Sequence, residues 1–420
     1  MAPTPPDYTP SPPSPHYSED PMCGETILAS TSRSISIYRT PTGIYTKDFD
    51  TFLVTLEQQE EDTTIPSYGR NGVVAGTISF KDTRSILQVQ LKFAGKLKLN
   101  VSGCNGCSKS VQIINETFTL WTSCSTSPST SVCPQALPFA AIFPSTFRDG
   151  TIERPLPPSY EVTYIGIPGL FAKCSYSLEV LIRSRSPIWK RKKSFRLPLH
   201  YLPRKRPHQP VLNGQDFLST VKVLPEEWHQ SSSVLKPRFS ARDILAPVNV
   251  HFFVPKVRVF GLSDTIPVHV QFSGPLSSLR AIYSHLTVED DTLPLWEQTK
   301  QAQTSMVLSV TLRRQISIEV KNQSAYKNWV IGTGVLRPVV PPFKDDVDEV
   351  RSATDPGEMD WGGELRCKED VKVGQFNAGS IAVRDYILFS ITSPLTTIPF
   401  HAVGNAVSVA LVTDPWSEIL

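Results

Sequence analysis

"SILQVQLKFAGKLKLNV", residues 85–101, decides the fold. Apolar side chains take every second position: Leu87, Val89, Leu91 and Phe93, then Leu97, Leu99 and Val101 after Gly95. A period of two sends successive side chains to opposite faces of a strand, so one face meets a core and the other meets water. Gly95, alone between two such runs, predicts a bulge or bend. The same alternation recurs upstream in "GVVAGTISF" (72–80) and downstream in "CSYSLEVLI" (174–182) and "SFRLPLHYL" (194–202). It resumes in "VNVHFFVPKVRVF" (248–260), "DTIPVHVQF" (264–272), "SMVLSVTLRRQISIEV" (305–320), "WVIGTGVL" (329–336), "IAVRDYILFSI" (381–391) and "AVSVALV" (406–412).

Many short alternating segments without a helix of ordinary length imply antiparallel sheets packed face to face. The chain is expected to be all-β, with two tandem antiparallel β-sandwich domains of immunoglobulin-like type. Its 420 residues suit more than one domain. The 37 prolines point the same way, because an interior proline breaks a helix.

The expected organisation has four parts. Residues 1–25, "MAPTPPDYTPSPPSPHYSEDPMCGE", form a Pro-rich tail too poor in apolar surface to fold. Residues 26–203 form the first sandwich. Residues 204–245 lack periodicity and read as a linker. Residues 246–420 form the second sandwich, with an acidic loop insert at about 338–370.

Composition sets limits on function. A formal charge of +3 gives no general attraction to nucleic acid. No run reaches the roughly 18 apolar residues that would span a bilayer as a helix, and the N-terminus lacks the basic and apolar regions of a secretory signal. The chain is therefore expected to be soluble and intracellular, with its seven cysteines reduced and the sequons at Asn100, Asn115 and Asn322 unglycosylated.

Little points to catalysis. The eight histidines are scattered, with no HExxH, GxSxG, Walker loop or GxGxxG. His251 and His269 each lie within a strand pattern, where a single histidine more often serves the fold. No enzyme activity and no cofactor are expected. Cys104 and Cys107 have the spacing of a zinc knuckle, but Cys124 and Cys133 stand too far apart to complete one in the usual way. No metal site is therefore expected.

Two features invite binding. From Arg183 to Arg206 the chain carries ten Lys or Arg residues and no acid. One cluster is Lys190, Arg191, Lys192 and Lys193, between two strand patterns and thus on an exposed loop; the second is Arg204, Lys205 and Arg206. Such charge attracts phosphates or an anionic lipid surface. Nucleic acid is the least favoured partner, since exposed aromatics are not interleaved. The second feature is Pro-Pro-x-Tyr, the tetrapeptide that WW domains read, which occurs at Pro5, Pro6 and Tyr8 and again at Pro157, Pro158 and Tyr160.

Three stretches carry a family likeness: "VVAGTISFKDTRSILQVQLKFAGKLKL" (73–99), "LPFAAIFPSTFRDGTIERPLPPSYEVTYIGIPGLFAKCSYSLEVLI" (137–182) and "VNVHFFVPKVRVFGLSDTIPVHVQFSG" (248–274). In order and spacing they resemble the arrestin family, in particular fungal α-arrestin-like proteins, over roughly residues 27–335. The resemblance implies an N-like and a C-like arrestin sandwich. It makes the Pro157, Pro158 and Tyr160 segment a structural turn. It also implies an adaptor that links membrane transporters or receptors, as cargo, to a WW-domain HECT-type ubiquitin ligase for ubiquitination and endocytic sorting. Such a protein would work in the cytoplasm, peripherally at the plasma membrane or endosomes. Pro5, Pro6 and Tyr8 would then be the ligase handle, although family members usually carry such motifs behind the second sandwich. The alternative within the same fold is a retromer-like sorting-coat or scaffold protein that recruits no ligase.

Overall fold

The stretch 85–101 forms one uninterrupted strand, Ile86–Ser102, with Val89, Leu91, Phe93, Leu97, Leu99 and Val101 all buried on one face. Gly95 shares that face. A Cβ there would stand 2.8 Å from the Tyr176 ring, so the glycine makes room for an aromatic ring from the neighbouring strand. The bulge that Gly95 signals belongs to the other neighbour: opposite it, the register slips by one residue at Ile113.

The computed structural model describes residues 41–416, apart from 103–106, 124–131, 186–191, 212–219, 221–223, 289–293, 295, 298–299, 301–303, 340–351, 353 and 394–397. The described chain is all-β, built of large curled sheets packed as sandwiches.

The first half contains β1 (Gly43–Asp48), β2 (Phe52–Gln59), β3 (Ser67–Tyr68), β4 (Val73–Phe80), β5 (Ile86–Ser102), β6 (Cys107–Thr122), β7 (Ala136–Ile142), β8 (Thr146–Asp149), β9 (Ile152–Pro155), β10 (Tyr160–Tyr164), β11 (Gly169–Ser184) and β12 (Lys192–Tyr201). One sheet runs β1-β2-β4-β7. The other runs β3-β12-β11-β5-β6, with β10 also on β11. Their facing sides meet around Phe143, whose ring lies 4.9 Å from Phe93, 5.4 Å from Tyr176 and 4.9 Å from Tyr201. Aromatic rings at these spacings add to the stabilisation from burial alone.

The second half contains β13 (Trp228–Leu235), β14 (Val248–Pro255), β15 (Val259–Gly261), β16 (Thr265–Pro275), the helix α1 (Leu276–His285), β17 (Leu286–Val288), β18 (Met306–Val320), β19 (Gln323–Val339), β20 (Pro356–Arg366), β21 (Phe376–Asn377), β22 (Ile381–Thr392) and β23 (Val403–Val412). Its main sheet runs β13-β14-β16-β20-β19-β18-β22-β23-β15 and folds over on itself. The fold-over occurs in β19, which pairs with β18 up to Thr333 and with β20 from Gly334 onward. Gly332 permits the crossing, because a Cβ there would lie 2.1 Å from the Arg366 carbonyl oxygen. Inside the fold, Phe252 stacks on Phe389 at 5.5 Å and Phe272 meets Trp361 edge-on at 5.3 Å.

Three sequence expectations need correction. The 204–245 segment is more than a linker, since β13 lies within it and pairs along its whole length with β14. Its serines carry no apolar periodicity, and only its end residues Trp228 and Leu235 are buried. The 338–370 insert is not wholly a loop: β20 occupies 356–366 as a central strand. Its Gly, Asp and Glu residues disguise the inward alternation of Met359, Trp361 and Leu365. Finally, α1 is a helix of ten residues, with Leu279 and Ile282 buried one turn apart. Ser278 fixes its start by a reciprocal pair of hydrogen bonds with the Ala246 backbone, at 3.0 and 2.9 Å.

Candidate binding site between the two sandwiches

The second Pro-Pro-x-Tyr sits where β11 changes partners. Along one edge of β11, β10 pairs up to Cys174 and β12 takes over from Tyr176. Pro157 and Pro158 are buried, and the turn fills that junction. Ser159 N donates to the Tyr201 carbonyl at 2.8 Å, and Tyr201 N donates to Ser159 Oγ at 2.9 Å. Tyr176 Oη donates to the Pro157 carbonyl at 2.5 Å. Cys174 lies beneath the turn, and burial pushes its thiol pKa up to about 12. Tyr160 is partly buried, with its ring edge-on to Phe376 at 5.4 Å. Burial also raises the pKa of its phenol. The turn is therefore part of the core, and it reaches across to the second half.

Phe376 is held in place by a buried ion pair. Arg314 on β18 and Asp385 on β22 face each other in register. Arg314 Nε donates to Asp385 Oδ1 at 2.7 Å and Nη2 donates to Oδ2 at 3.0 Å. Nη1 donates to the Val373 carbonyl at 2.7 Å, which anchors the loop leading to Phe376. Burial raises the Asp385 carboxyl pKa against the opposing pull of Arg314. A second aromatic contact, Tyr164 to Trp329 at 5.4 Å, joins the halves further along.

The connector between the halves forms the remaining wall. Leu202 N donates to the Tyr68 carbonyl of the first half at 2.8 Å. Three residues on, Lys205 N donates to Thr413 Oγ1 at 2.7 Å, and Asp414 N donates to the Lys205 carbonyl at 3.0 Å. Turn, loop and connector together enclose a cleft of about 580 Å³, within the range of small-molecule sites. Its lining includes the apolar Leu156, Phe376 and Leu411 and the cations Arg70, Arg204, Lys205, Lys372 and Arg384. All five cations are exposed. Asp414 lies 3.8 Å from Arg204 but is not part of the lining.

The basic run of the sequence is thus divided. Of its first cluster, Lys190 and Arg191 lie outside the described residues; Lys192 begins β12 and Lys193 is exposed beside it. Of its second cluster, Arg204 and Lys205 line the cleft. Arg70, Lys372 and Arg384 are isolated in sequence, and nothing there marks them as neighbours. Pro5, Pro6 and Tyr8 lie outside the described residues, as do Cys104 and Cys124. Cys107 lies on β6 and Cys133 is buried, its thiol pKa pushed up to about 11. His269 is buried against Asp360, with Nε2 2.7 Å from Oδ1. His251 Nδ1 lies 2.9 Å from both Gln230 Nε2 and Ser232 Oγ.

No protein-family model matches the chain, and a search of curated proteins found no match.

Proposed function

We propose that the protein is a non-enzymatic, arrestin-like adaptor that links membrane-protein cargo to a WW-domain ubiquitin ligase of the HECT type. The observation that carries this reading is the state of the second tetrapeptide. A WW groove takes a Pro-Pro-x-Tyr peptide as an accessible polyproline II segment. Pro157, Pro158 and Tyr160 are instead committed to the core by four elements: two buried prolines, the Ser159–Tyr201 backbone pairing, the Tyr176 hydrogen bond and the Phe376 contact. The ligand role then falls to Pro5, Pro6 and Tyr8. The two-sandwich architecture and the likeness of the three sequence stretches support the arrestin comparison. Cargo contact is supported by the β10–β11 turn, where Ile165 and Ile167 are 99% and 89% exposed. Lys190, Arg191, Lys192 and Lys193 would add attraction to an anionic membrane at the plasma membrane or endosomes.

The test is titration of a WW-domain array with the intact protein, its Tyr8→Ala variant and its Tyr160→Phe variant. Phenylalanine keeps the ring contact with Phe376, so the second variant leaves the core intact. The expected result is binding abolished by Tyr8→Ala and unchanged by Tyr160→Phe. Binding that survives Tyr8→Ala, or no binding at all, removes ligase recruitment and favours the coat or scaffold alternative.

A further inference from the structure

We propose that the cleft between the two sandwiches is a binding site for a compact polyanion, a ligand that presents a cluster of phosphate groups. The five cations of its lining come from four separate places: the β3–β4 turn, the connector, the loop before β21, and β22. Among the described residues, no carboxylate lines the cleft with them. Asp414 pairs with Arg204 at 3.8 Å from outside the lining, which leaves the other four cations to carry the proposal. Like charges gathered this closely repel one another, and a bound polyanion relieves the repulsion.

The second cavity between the halves, of about 480 Å³, shows the contrast. There Asp149 and Glu319 stand among Lys109, Arg154 and Lys321 and offset two of the three positive charges, and Lys109 already contacts Asp149 at 3.3 Å and Ser380 Oγ at 2.6 Å. That cavity holds carboxylates among its cations. Among the described residues, the first holds none.

The residue types narrow the ligand class. Three of the five cations are arginines, whose planar forks match phosphate oxygens bidentately, and the two lysines act as point charges. The apolar residues of the lining lower the local dielectric and strengthen their field. Phosphate clusters occur both on free small molecules and on lipid headgroups, and the chemistry recognised is the same. This site is independent of the tail motif and stands whether or not a WW domain binds.

The experiment is calorimetric titration of the full chain with inorganic tripolyphosphate, at low and at raised ionic strength. A parallel arm uses phosphatidylcholine vesicles with and without a phosphorylated inositol lipid, with tripolyphosphate as competitor. The variants are Lys372→Gln combined with Arg384→Gln, and Lys47→Gln as an exposed cation outside the cleft. Both cleft positions are exposed, so folding is not at stake. Saturable binding is expected that weakens with salt and weakens roughly tenfold or more in the double variant. It should be unchanged in Lys47→Gln. Vesicle binding displaced by tripolyphosphate would identify a headgroup as a source that the site accepts. No saturable binding in either arm, equal affinity in the double variant, or an equal loss in Lys47→Gln would overturn the proposal.

Discussion

Arg314 and Asp385 carry opposite charges into an apolar interior, with 3% and 0% of their side chains exposed. Their bidentate contact satisfies both charges, and the third Arg314 donor fixes Val373. Taking one partner away strands the other without solvent, so Arg314→Met should cost about 3–5 kcal/mol. Arg314→Met with Asp385→Leu should cost clearly less than the sum of the two single changes, because no buried charge is left unpaired. Denaturant unfolding of the three variants measures this coupling; additive costs would show that the pair does not act as a unit. The pair was legible in sequence. Arg314 occupies an inward position between Leu312 and Ile316, and Asp385 one between Val383 and Ile387. Opposite charges at inward positions of two alternating strands are a signal to look for a buried ion pair. What the sequence lacked was the pairing of those two strands, which lie about seventy residues apart.

At the scale of elements, alternation succeeds where a strand buries one continuous face and fails where another device holds the strand. β5, β11, β18 and β22 bury long apolar rows, and their patterns are plain. β13 is held by its ladder to β14 and by a hydrogen bond from Asn405 Nδ2 on β23 to Ser231 Oγ, so serines suffice at its centre. Leu235, fully buried at its end, gives a direct test. Leu235→Ala should cost about 2–5 kcal/mol, as in other core truncations. In a segment that merely linked two domains, the same change would leave the denaturation midpoint where it is. β20 shows the complementary case: glycines that discourage a strand reading are there because backbone passes close by. A Cβ on Gly363 would lie 2.2 Å from the Val335 carbonyl oxygen.

At the scale of the molecule, the two halves share a core. Ile316, Ile318 and Val320 of β18, with Ile381 and Val383 of β22, belong to the same buried cluster as Phe93, Leu97 and Tyr176 of the first half. The connector is bonded at both ends, to Tyr68 and to Thr413. Two domains with this much apolar surface in common should unfold together, so calorimetry should show one transition with agreeing calorimetric and van't Hoff enthalpies. Two resolved transitions would mean that the shared cluster does not couple the halves.

The sequence by itself determined that this chain is all-β, which strands carry most of its core, and that two runs of strands are separated near residue 204. These properties follow from local spacing, because a strand presents its own periodicity whatever it pairs with. Only the tertiary structure decided which contacts hold the Pro157, Pro158 and Tyr160 turn, that the connector is part of both halves, and that five cations surround one cleft. Arg70, Arg204, Lys205, Lys372 and Arg384 become neighbours through strand crossovers and the closing of one half on the other. No spacing rule along the chain encodes that proximity, because it is made by contacts between residues far apart in sequence.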